Sequence, residues 1–551
     1  MENGSHLITI PPIEKNVPEE VYSNLEKIIW DEVNKTDNPA ATIEPYIYPF
    51  ENIQMIADSD KIEYKENIRN MADDIWSKEV WLDALIVYYI LMHIITFLPT
   101  DFYKMSYTLG KLNYPDMAQK LIDVYEKMST NKKVTYHAMA NFYYTAVNIP
   151  EKALNYFQKY CEIDDSNPLV YNTMGYLYGE LDDEASHEKQ LEMFKRAYEL
   201  KPDDPTIVKS LLTAYEKAHQ DDMVKFLYPQ LLNLAPSPQH SLNYGLYLMS
   251  WGQFNEGGKY FSERFDLENY PIGYPKDILT LPRKWNYYDD ISDKTLVIHY
   301  EEGFGDSIMY GRFLPLIKQY AKNTVLIVQP QLVNLFKQSK ILTQDVDVLG
   351  SIEEFSAKYK DSDYVHMPLM DMPYPLGFDT HFIPYTDAYI TPSAPREFDK
   401  TKLSVGIAYS GDVSANYNGR DITVDLFENI MKSDKIQLYS LQVGETSEQI
   451  SKYPQIIDLG KDFNDFTDTA NAISGLDLVI TSDNVILNLA GALGKRTYAI
   501  FNKYPNYRWF DLSGENVKWY NSVKPFQCDE ENNWASAFAK VEEALKTEFL
   551  N

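Results

Sequence analysis

The 551-residue sequence predicts a multidomain protein in which all-α helical repeats precede an α/β region with two parallel sheets. Three observations predict this order. The chain is too long for one hydrophobic core. Apolar residues in the first half recur at helical spacing, and the whole pattern repeats with a period of about 34 residues. In the second half, short β-rich runs alternate with helical segments, which is typical of parallel sheets covered by helices.

Composition limits the classes of partner. The chain is 44% hydrophobic and 24% charged, as in globular proteins, and its 51 basic and 81 acidic residues give a net charge of −30. A surface this acidic repels phosphate backbones and anionic membranes. We therefore expect no nucleic-acid partner. A local basic pocket for a phosphorylated small molecule remains compatible with this charge.

Cysteine usage and the apolar segments predict a cytoplasmic protein. Cys161 and Cys528 lie far apart, so neither a disulfide framework nor a thiolate metal site is indicated. The N-terminus lacks a basic region followed by an apolar core, and we expect no secretory signal. The most apolar run, 84–98, is shorter than the ~20 residues needed to span a bilayer and predicts a buried helix. We therefore expect no integral membrane segment.

The repeats are visible in paired positions between about 100 and 266. Ala118 and Ala153 stand 35 residues apart, and each is followed four residues later by a large apolar residue, Ile122 or Phe157. Small residues where helices cross and large ones between them allow neighbouring helix pairs to stack. The pattern resembles tetratricopeptide repeats, and a generic helical bundle is the alternative. Such repeats form a concave groove, here rich in Tyr and Asn at 141–148, which could bind a partner segment or simply pack in the core.

The second half predicts two nucleotide-fold lobes with a cleft between them. Strand-like runs come in two series that are joined near 391–402. The first series is 295–300, 324–330, 345–350, 363–369 and 403–411, and the second is 435–444, 455–460, 476–483 and 496–502. Ligands of such sheets bind at the carboxyl ends of the strands, where each motif below lies.

A family resemblance rests on the order of several motifs. They are GFGDSIMYGRFLPLI, SVGIAYSGDVSANYNGRDITVDLF, YSLQVG, DFNDFTDTANAISGLDLVITSDNVILNLAGALGKRTYAIF and YRWF. Together they resemble the heptosyltransferase-like (family 9) glycosyltransferase domain that occurs fused behind tetratricopeptide repeats. The resemblance covers about 240–530. It implies a GT-B fold, a nucleotide-sugar donor held mainly by the C-terminal lobe, and neither a metal nor another cofactor.

The predicted domain boundaries follow from these patterns. They are 1–98 for an N-terminal helical region, 99–270 for the repeats, 280–395 for the acceptor lobe, 396–530 for the donor lobe and 531–551 for a C-terminal helix.

The GFGD turn carries the candidate base. Gly303 and Gly305 let backbone amides at a helix start approach a substrate closely, and Asp306 could take the proton from an acceptor hydroxyl. Asp306 could instead only cap the helix. On the acceptor side, Arg312 could pair with Asp306, bind phosphate or lie in solvent. His366 is a reserve base or a structural histidine.

The segment 482–495 is the candidate diphosphate site, because it follows a strand and begins a helix. Ser482 and Asp483 would orient the loop or bind the donor. The resembling family carries Thr or Ser and then His where this chain has Asn484 and Asn488. Asn donates a hydrogen bond but cannot supply the imidazolium charge. Donor affinity, or activity itself, is therefore an open question.

Five further positions complete the predicted donor site. Ser410, Gly411 and Arg420 could hold the departing diphosphate, and the alternative is an ordinary surface loop. Gln442 ends a strand where GT-B enzymes read the nucleotide base. Arg508 belongs to an aromatic–Arg–Trp element of the family.

These observations predict an inverting, metal-independent glycosyltransferase whose repeats recruit a protein acceptor at Ser, Thr or Asn. A saccharide or lipid-linked acceptor also fits the resemblance. The alternative function is a protein-interaction scaffold whose transferase domain has lost catalysis.

Overall fold

The computed structural model describes residues 8, 17–59, 62–181, 183–267, 284–359, 361–378, 380, 382–411 and 420–550. The chain divides into two compact units, Met1–Ala235 and Pro236–Asn551. Each is described separately below.

The first unit is all α-helical in its described part. Its helices are α1 (Glu19–Val33), α2 (Pro39–Ile43), α3 (Ile47–Glu51), α4 (Ile53–Ala57), α5 (Ile62–Ser77), α6 (Trp81–Ile94), α7 (Pro99–Lys111), α8 (Pro115–Met128), α9 (Lys132–Asn141), α10 (Pro150–Cys161), α11 (Pro168–Leu181), α12 (Glu184–Leu200), α13 (Pro205–Lys217) and α14 (Asp221–Leu234).

From α7 onward these helices pack in consecutive pairs, α7 with α8, α9 with α10, α11 with α12 and α13 with α14. Proline opens several of them, because its fixed φ suits the first helical position. Ala118 and Ala153 are fully buried where helices cross. A methyl group at Gly175 would lie 2.5 Å from the ring of Phe194, so this crossing requires glycine. The predicted helical repeats are confirmed.

The apolar run at 84–98 lies mostly in α6. Every residue of α6 from Ala84 to Ile94 is buried, which confirms the predicted buried helix. Across the described ranges, no helix combines the length and the apolar character that crossing a bilayer needs.

The second unit begins with a helix pair and continues with two sheets. Its helices are α15 (Pro238–Ser250), α16 (Phe254–Phe261), α17 (Phe304–Gly311), α18 (Leu314–Ile317), α19 (Val333–Gln338), α20 (Lys340–Thr343), α21 (Ile352–Tyr359), α22 (Glu428–Met431), α23 (Phe466–Gly475), α24 (Val485–Ala492) and α25 (Trp534–Leu545). Its strands are β1 (Thr295–His299), β2 (Asn323–Ile327), β3 (Val346–Leu349), β4 (Tyr364–Pro368), β5 (Leu403–Ala408), β6 (Ile436–Ser440), β7 (Ile457–Asp458), β8 (Leu478–Ser482), β9 (Thr497–Phe501) and β10 (Val523–Gln527).

Both sheets are parallel, as the sequence predicts. The first lobe, built around β1–β4, has the strand order β3-β2-β1-β4, and the second lobe, built around β5–β10, has the order β10-β9-β8-β5-β6-β7. Read from β7, the second sheet has the doubly wound order 3-2-1-4-5-6. The strand order therefore reverses between β1 and β4 and again between β5 and β8, where such sheets bind ligands.

Strand β10 was not among the predicted runs. It contains Pro525, which cannot donate to a ladder and argues against a strand in sequence. The structure accommodates it because β10 pairs only with β9, at the edge of the sheet.

The helix pair α15–α16 belongs to the core of the second unit. Leu242 and Met249 of α15 and Phe254 and Phe261 of α16 are buried in one hydrophobic cluster with residues of both sheets. The end of the predicted repeat region is thus part of the α/β unit.

Candidate functional site

Asp306 lies in the first turn of α17, just beyond the carboxyl end of β1. The connecting turn holds Glu302 in the left-handed region, with a φ of 59°, and Gly303 then caps the helix. The Gly303 amide donates to Asp306 Oδ2 at 3.1 Å. Asp306 therefore caps its own helix, the structural role that the sequence left open, with one of its two carboxylate oxygens.

The other carboxylate oxygen of Asp306 forms an ion pair with the second lobe. Arg508 Nε lies 2.6 Å from Asp306 Oδ1, and both side chains are largely buried. Burial of the guanidinium opposes its charge, but Asp306, Tyr507, Tyr310 and Asp483 together outweigh this effect and hold the pKa of Arg508 well above its usual range. The pair joins the first turn of α17 to the turn that follows β9.

Arg312 occupies a different position from the one expected. It is fully buried, and it donates to the carbonyl oxygen of Trp519 at 2.6 Å and to the Tyr389 hydroxyl at 3.1 Å. The rings of Tyr389, Trp519 and Tyr520 lie around its guanidinium. Arg312 thus neither pairs with Asp306 nor lies in solvent. Its contacts satisfy a buried charge at the junction of the lobes, and Arg508 is the cation beside Asp306.

His366 lies in the first sheet. It lies within β4, is buried, and its Nδ1 is 3.3 Å from Nε2 of His299. Burial, reinforced by His366 alongside, lowers the pKa of His299 well below its usual value. His366 thus contacts a second buried histidine, as the structural alternative predicts.

The corresponding turn of the second lobe runs from β8 into α24. Asn484 caps α24, because its Oδ1 accepts from the Ile486 amide at 2.9 Å and from the Thr481 hydroxyl at 3.1 Å. Asn488 accepts from the Tyr520 hydroxyl at 3.0 Å. Both asparagine side chains, expected to contact the donor, therefore serve the packing of α24.

Gly305 explains how the two turns come together. A methyl group at this position would lie 2.8 Å from Asn488 Nδ2 and 3.7 Å from Val485 Cα. The N-terminal turns of α17 and α24 are thus in direct contact, and the missing side chain makes this approach possible.

A cleft of ≈ 190 Å³ opens beside the turn that follows β8, at the carboxyl ends of β8 and β9. Its lining includes Arg420, Asp483, Tyr504, Asn506, Glu531 and Trp534. Asp483 Oδ2 lies 3.9 Å from Arg420 Nη1. Burial raises the pKa of Asp483 despite the opposing effect of Arg420 and Arg508. The aromatic members and Glu531 were missed in the sequence; their only signal is that they follow the ends of β9 and β10.

The remaining predicted donor residues lie at the ends of β5 and β6. The Gln442 side chain accepts from the amides of Tyr409 and Ser410, each at 3.2 Å, and donates to the carbonyl of Ser410 at 3.1 Å. The Gly411 amide donates to Asp421 at 2.8 Å. Ser482 is fully buried. These contacts brace the strand ends, and the rest of the predicted loop, 412–419, lies outside the described residues.

A second buried cluster was not predicted. Arg264, in the turn after α16, lies 2.5 Å from a carboxylate oxygen of Glu301 and 2.5 Å from one of Asp371. Tyr287 donates its hydroxyl to Asp371. Glu301 follows β1 and Asp371 follows β4, so this cluster fixes the turn that leads to Gly303. No group of three or more His, Cys, Asp or Glu side chains placed to hold a metal ion occurs within the described ranges.

Comparisons with known proteins give limited likenesses. No family model matches the chain. Protein FlbA of Caulobacter vibrioides is 24% identical over 330 residues, which are 54% of this chain and 53% of that protein. The chain thus spans about half the length of this relative.

Among solved structures, MamA from Desulfovibrio magneticus is 16% identical, with a TM-score of 0.27, and covers 32% of this chain and 96% of its own. YrrB, described as a tetratricopeptide-repeat protein with an unusual peptide-binding site, is 13% identical, with a TM-score of 0.26. The match covers 32% of this chain and 88% of YrrB. PilF of Pseudomonas aeruginosa is 10% identical, with a TM-score of 0.30. The match covers 37% of this chain and 90% of PilF.

Proposed function

We propose that the protein is an inverting glycosyltransferase of the GT-B type that needs no metal and moves a sugar from a nucleotide-diphosphate donor to an acceptor hydroxyl or amide. The observation that carries the proposal is the meeting of two strand-to-helix turns, one bearing Asp306 and the other bearing Asp483 at the edge of a cleft. A carboxylate of one lobe thereby faces the carboxyl ends of a doubly wound sheet in the other.

In the proposed reaction, Asp306 accepts the proton of the acceptor as its oxygen or nitrogen attacks the anomeric carbon. The bond from that carbon to the diphosphate oxygen breaks on the opposite face, and the nucleoside diphosphate leaves. Arg420 and the N-terminal end of α24 offset its negative charge, while Asp483 orients the donor. Tyr504 and Trp534 offer aromatic faces to the base.

The acceptor is proposed to be a protein or peptide bound by the helical repeats. This part of the proposal rests on the paired helices of the repeats, which in stacked arrays form an extended concave surface. We place the reaction in the cytoplasm, where the free thiols of Cys161 and Cys528 stay reduced.

A second function, a protein-interaction scaffold with a lapsed transferase domain, is favoured by one specific observation. Both carboxylate oxygens of Asp306 are engaged, by Gly303 and by Arg508. Asn484 and Asn488 are also committed to contacts within the protein.

A panel of nucleotide sugars separates the two functions. We expect at least one donor to be hydrolysed or transferred by the full-length protein, and Asp306→Asn to lower that rate by about 10²–10⁴-fold. The matched control is Asp345→Asn, whose side chain is 81% exposed and whose positive φ of 60° suits Asn. If no donor reacts and none shifts the melting temperature, the scaffold is the better account.

A further inference from the structure

Four side chains of alternating charge run from the first lobe to the cleft. Asp306 is 2.6 Å from Arg508, and Asp483 is 3.9 Å from Arg420. The two pairs are coupled, because the charge of Asp483 acts on Arg508 as well as on Arg420. Arg508 also donates to Asn506 Oδ1 at 2.9 Å, and Asn506 lines the cleft. The Arg508 guanidinium therefore lies directly behind the cleft wall.

The charges of this row balance only while the cleft holds no anion. Two guanidinium groups face two carboxylates, and buried ions must be paired closely to offset their lost hydration. A diphosphate beside Arg420 competes with Asp483 for that arginine. Asp483 then keeps a single cationic neighbour, Arg508, and this draws Arg508 away from Asp306.

We infer that Arg508 is a positioning residue that holds Asp306 in the free protein and releases it when a diphosphate occupies the cleft. The inference rests on the proposed function, because the cleft is the proposed donor site. With this ion pair in place, the carboxylate of Asp306 becomes available to an acceptor only once the donor is bound. It also accounts for a candidate base that is fully engaged in the free protein.

Linkage makes the inference measurable. If anion binding weakens the pair between Asp306 and Arg508, removing that pair strengthens anion binding by the same factor. Couplings of this kind are worth about 5- to 150-fold in affinity. Asp306→Asn should therefore tighten pyrophosphate binding, although the same change removes the proposed base.

The experiment is a double-mutant cycle on the affinity of the full-length protein for inorganic pyrophosphate, measured by titration calorimetry. We expect Asp306→Asn to tighten binding about 5-fold or more, and to change it less than about 2-fold when Arg508→Gln is also present. Glu531→Gln is the control, because Glu531 lines the cleft but lies outside the pair. Glu531→Gln should change the pyrophosphate affinity by the same factor whether or not Arg508→Gln is present.

Equal effects of Asp306→Asn with and without Arg508 overturn the inference, since they reflect only lost repulsion between charges. The absence of pyrophosphate binding in every variant overturns it as well. If Arg508→Gln does not fold, Arg508→Lys replaces it, because a compact ammonium cannot span two carboxylates as a guanidinium does. The cycle needs no turnover, so it is readable even if the donor panel fails. A working donor with an additive cycle removes this inference alone.

Discussion

At the scale of single residues, the buried cluster around Arg264 has the clearest consequence for stability. One guanidinium lies between the carboxylates of Glu301 and Asp371, all three fully or almost fully buried. Burial, together with the second carboxylate, raises the pKa of Glu301 from its ordinary value of 4.5 to about 8, although Arg264 acts in the opposite direction. Near neutral pH the folded protein therefore keeps a proton that the unfolded chain releases.

The sign of the resulting pH dependence follows from this difference. Because the folded state binds more protons than the unfolded state between pH 4.5 and about 8, the free energy of unfolding falls as pH rises through that window. The limiting slope is about 1.4 kcal/mol per pH unit. Glu301→Gln should flatten this slope, as measured by urea unfolding across that range. The exposed control Glu428→Gln should keep it, and parallel curves for wild type and Glu301→Gln would contradict the assignment.

The position of Asp306 is predictable from the sequence, whereas its ion-pair partner is not. The GFGD turn predicts a helix start and a cleft-facing acid at Asp306, and the structure places it in the first turn of α17. Its partner is Arg508, however, and the nearby Arg312 is buried elsewhere. Spacing along one helix reports neighbours on that helix, whereas this ion pair depends on how two lobes pack.

At the scale of elements, the contact between α17 and α24 positions the proposed site. Both helices begin directly after strands, and Gly305 allows their first turns to meet at Asn488. The sequence predicts the first turn from its glycines and Asp306, and the second because it follows a strand and begins a helix. It does not predict that Asn488 packs against the other turn, because a polar residue after a strand reads equally well as a ligand contact.

Two alanine substitutions in one motif test this contact. Gly305→Ala places a methyl group 2.8 Å from Asn488 Nδ2 and should destabilise the protein by about 1–3 kcal/mol. Gly303→Ala is the matched control, since its methyl group would lie at ordinary contact distances, 3.5 Å from Asp306 Oδ2 and 4.0 Å from the Gly305 nitrogen, and its φ is −84°. Thermal melts of both variants report the difference. Equal melting temperatures would show that the helices are not in close contact, and Asn488→Ala should recover part of the loss.

At the scale of the whole molecule, the helix pair α15–α16 is inseparable from the α/β unit. Its apolar residues share one core with both sheets, and the guanidinium of Arg264, which follows the pair, contacts the buried side chains of Glu301 and Asp371. The sequence groups this pair with the repeats, because periodicity records how a helix pair is built and not which neighbour it packs against. The order of repeats and then sheets is predictable from local patterns, and the assignment of this pair is not.

Two truncations test that assignment. A fragment of residues 236–551 should be folded, with a cooperative melt and the anion affinity of the full chain. A fragment of residues 280–551, which begins at the predicted domain boundary, lacks α15, α16 and Arg264. It leaves the buried Asp371 carboxylate and the buried Glu301 side chain without the Arg264 guanidinium, a loss worth about 3–5 kcal/mol. We expect it to be insoluble or molten by circular dichroism. A cooperative melt of the shorter fragment would contradict the shared core.

The proposed reaction requires that an activated sugar bound by the second lobe meet the carboxylate of Asp306. A crystal structure of the full-length protein with a non-hydrolysable analogue of the reactive nucleotide sugar tests it most directly. We expect the diphosphate beside Arg420 in the cleft at the ends of β8 and β9, with the anomeric carbon oriented towards Asp306. An analogue bound elsewhere, or one whose sugar points away from Asp306, would contradict it.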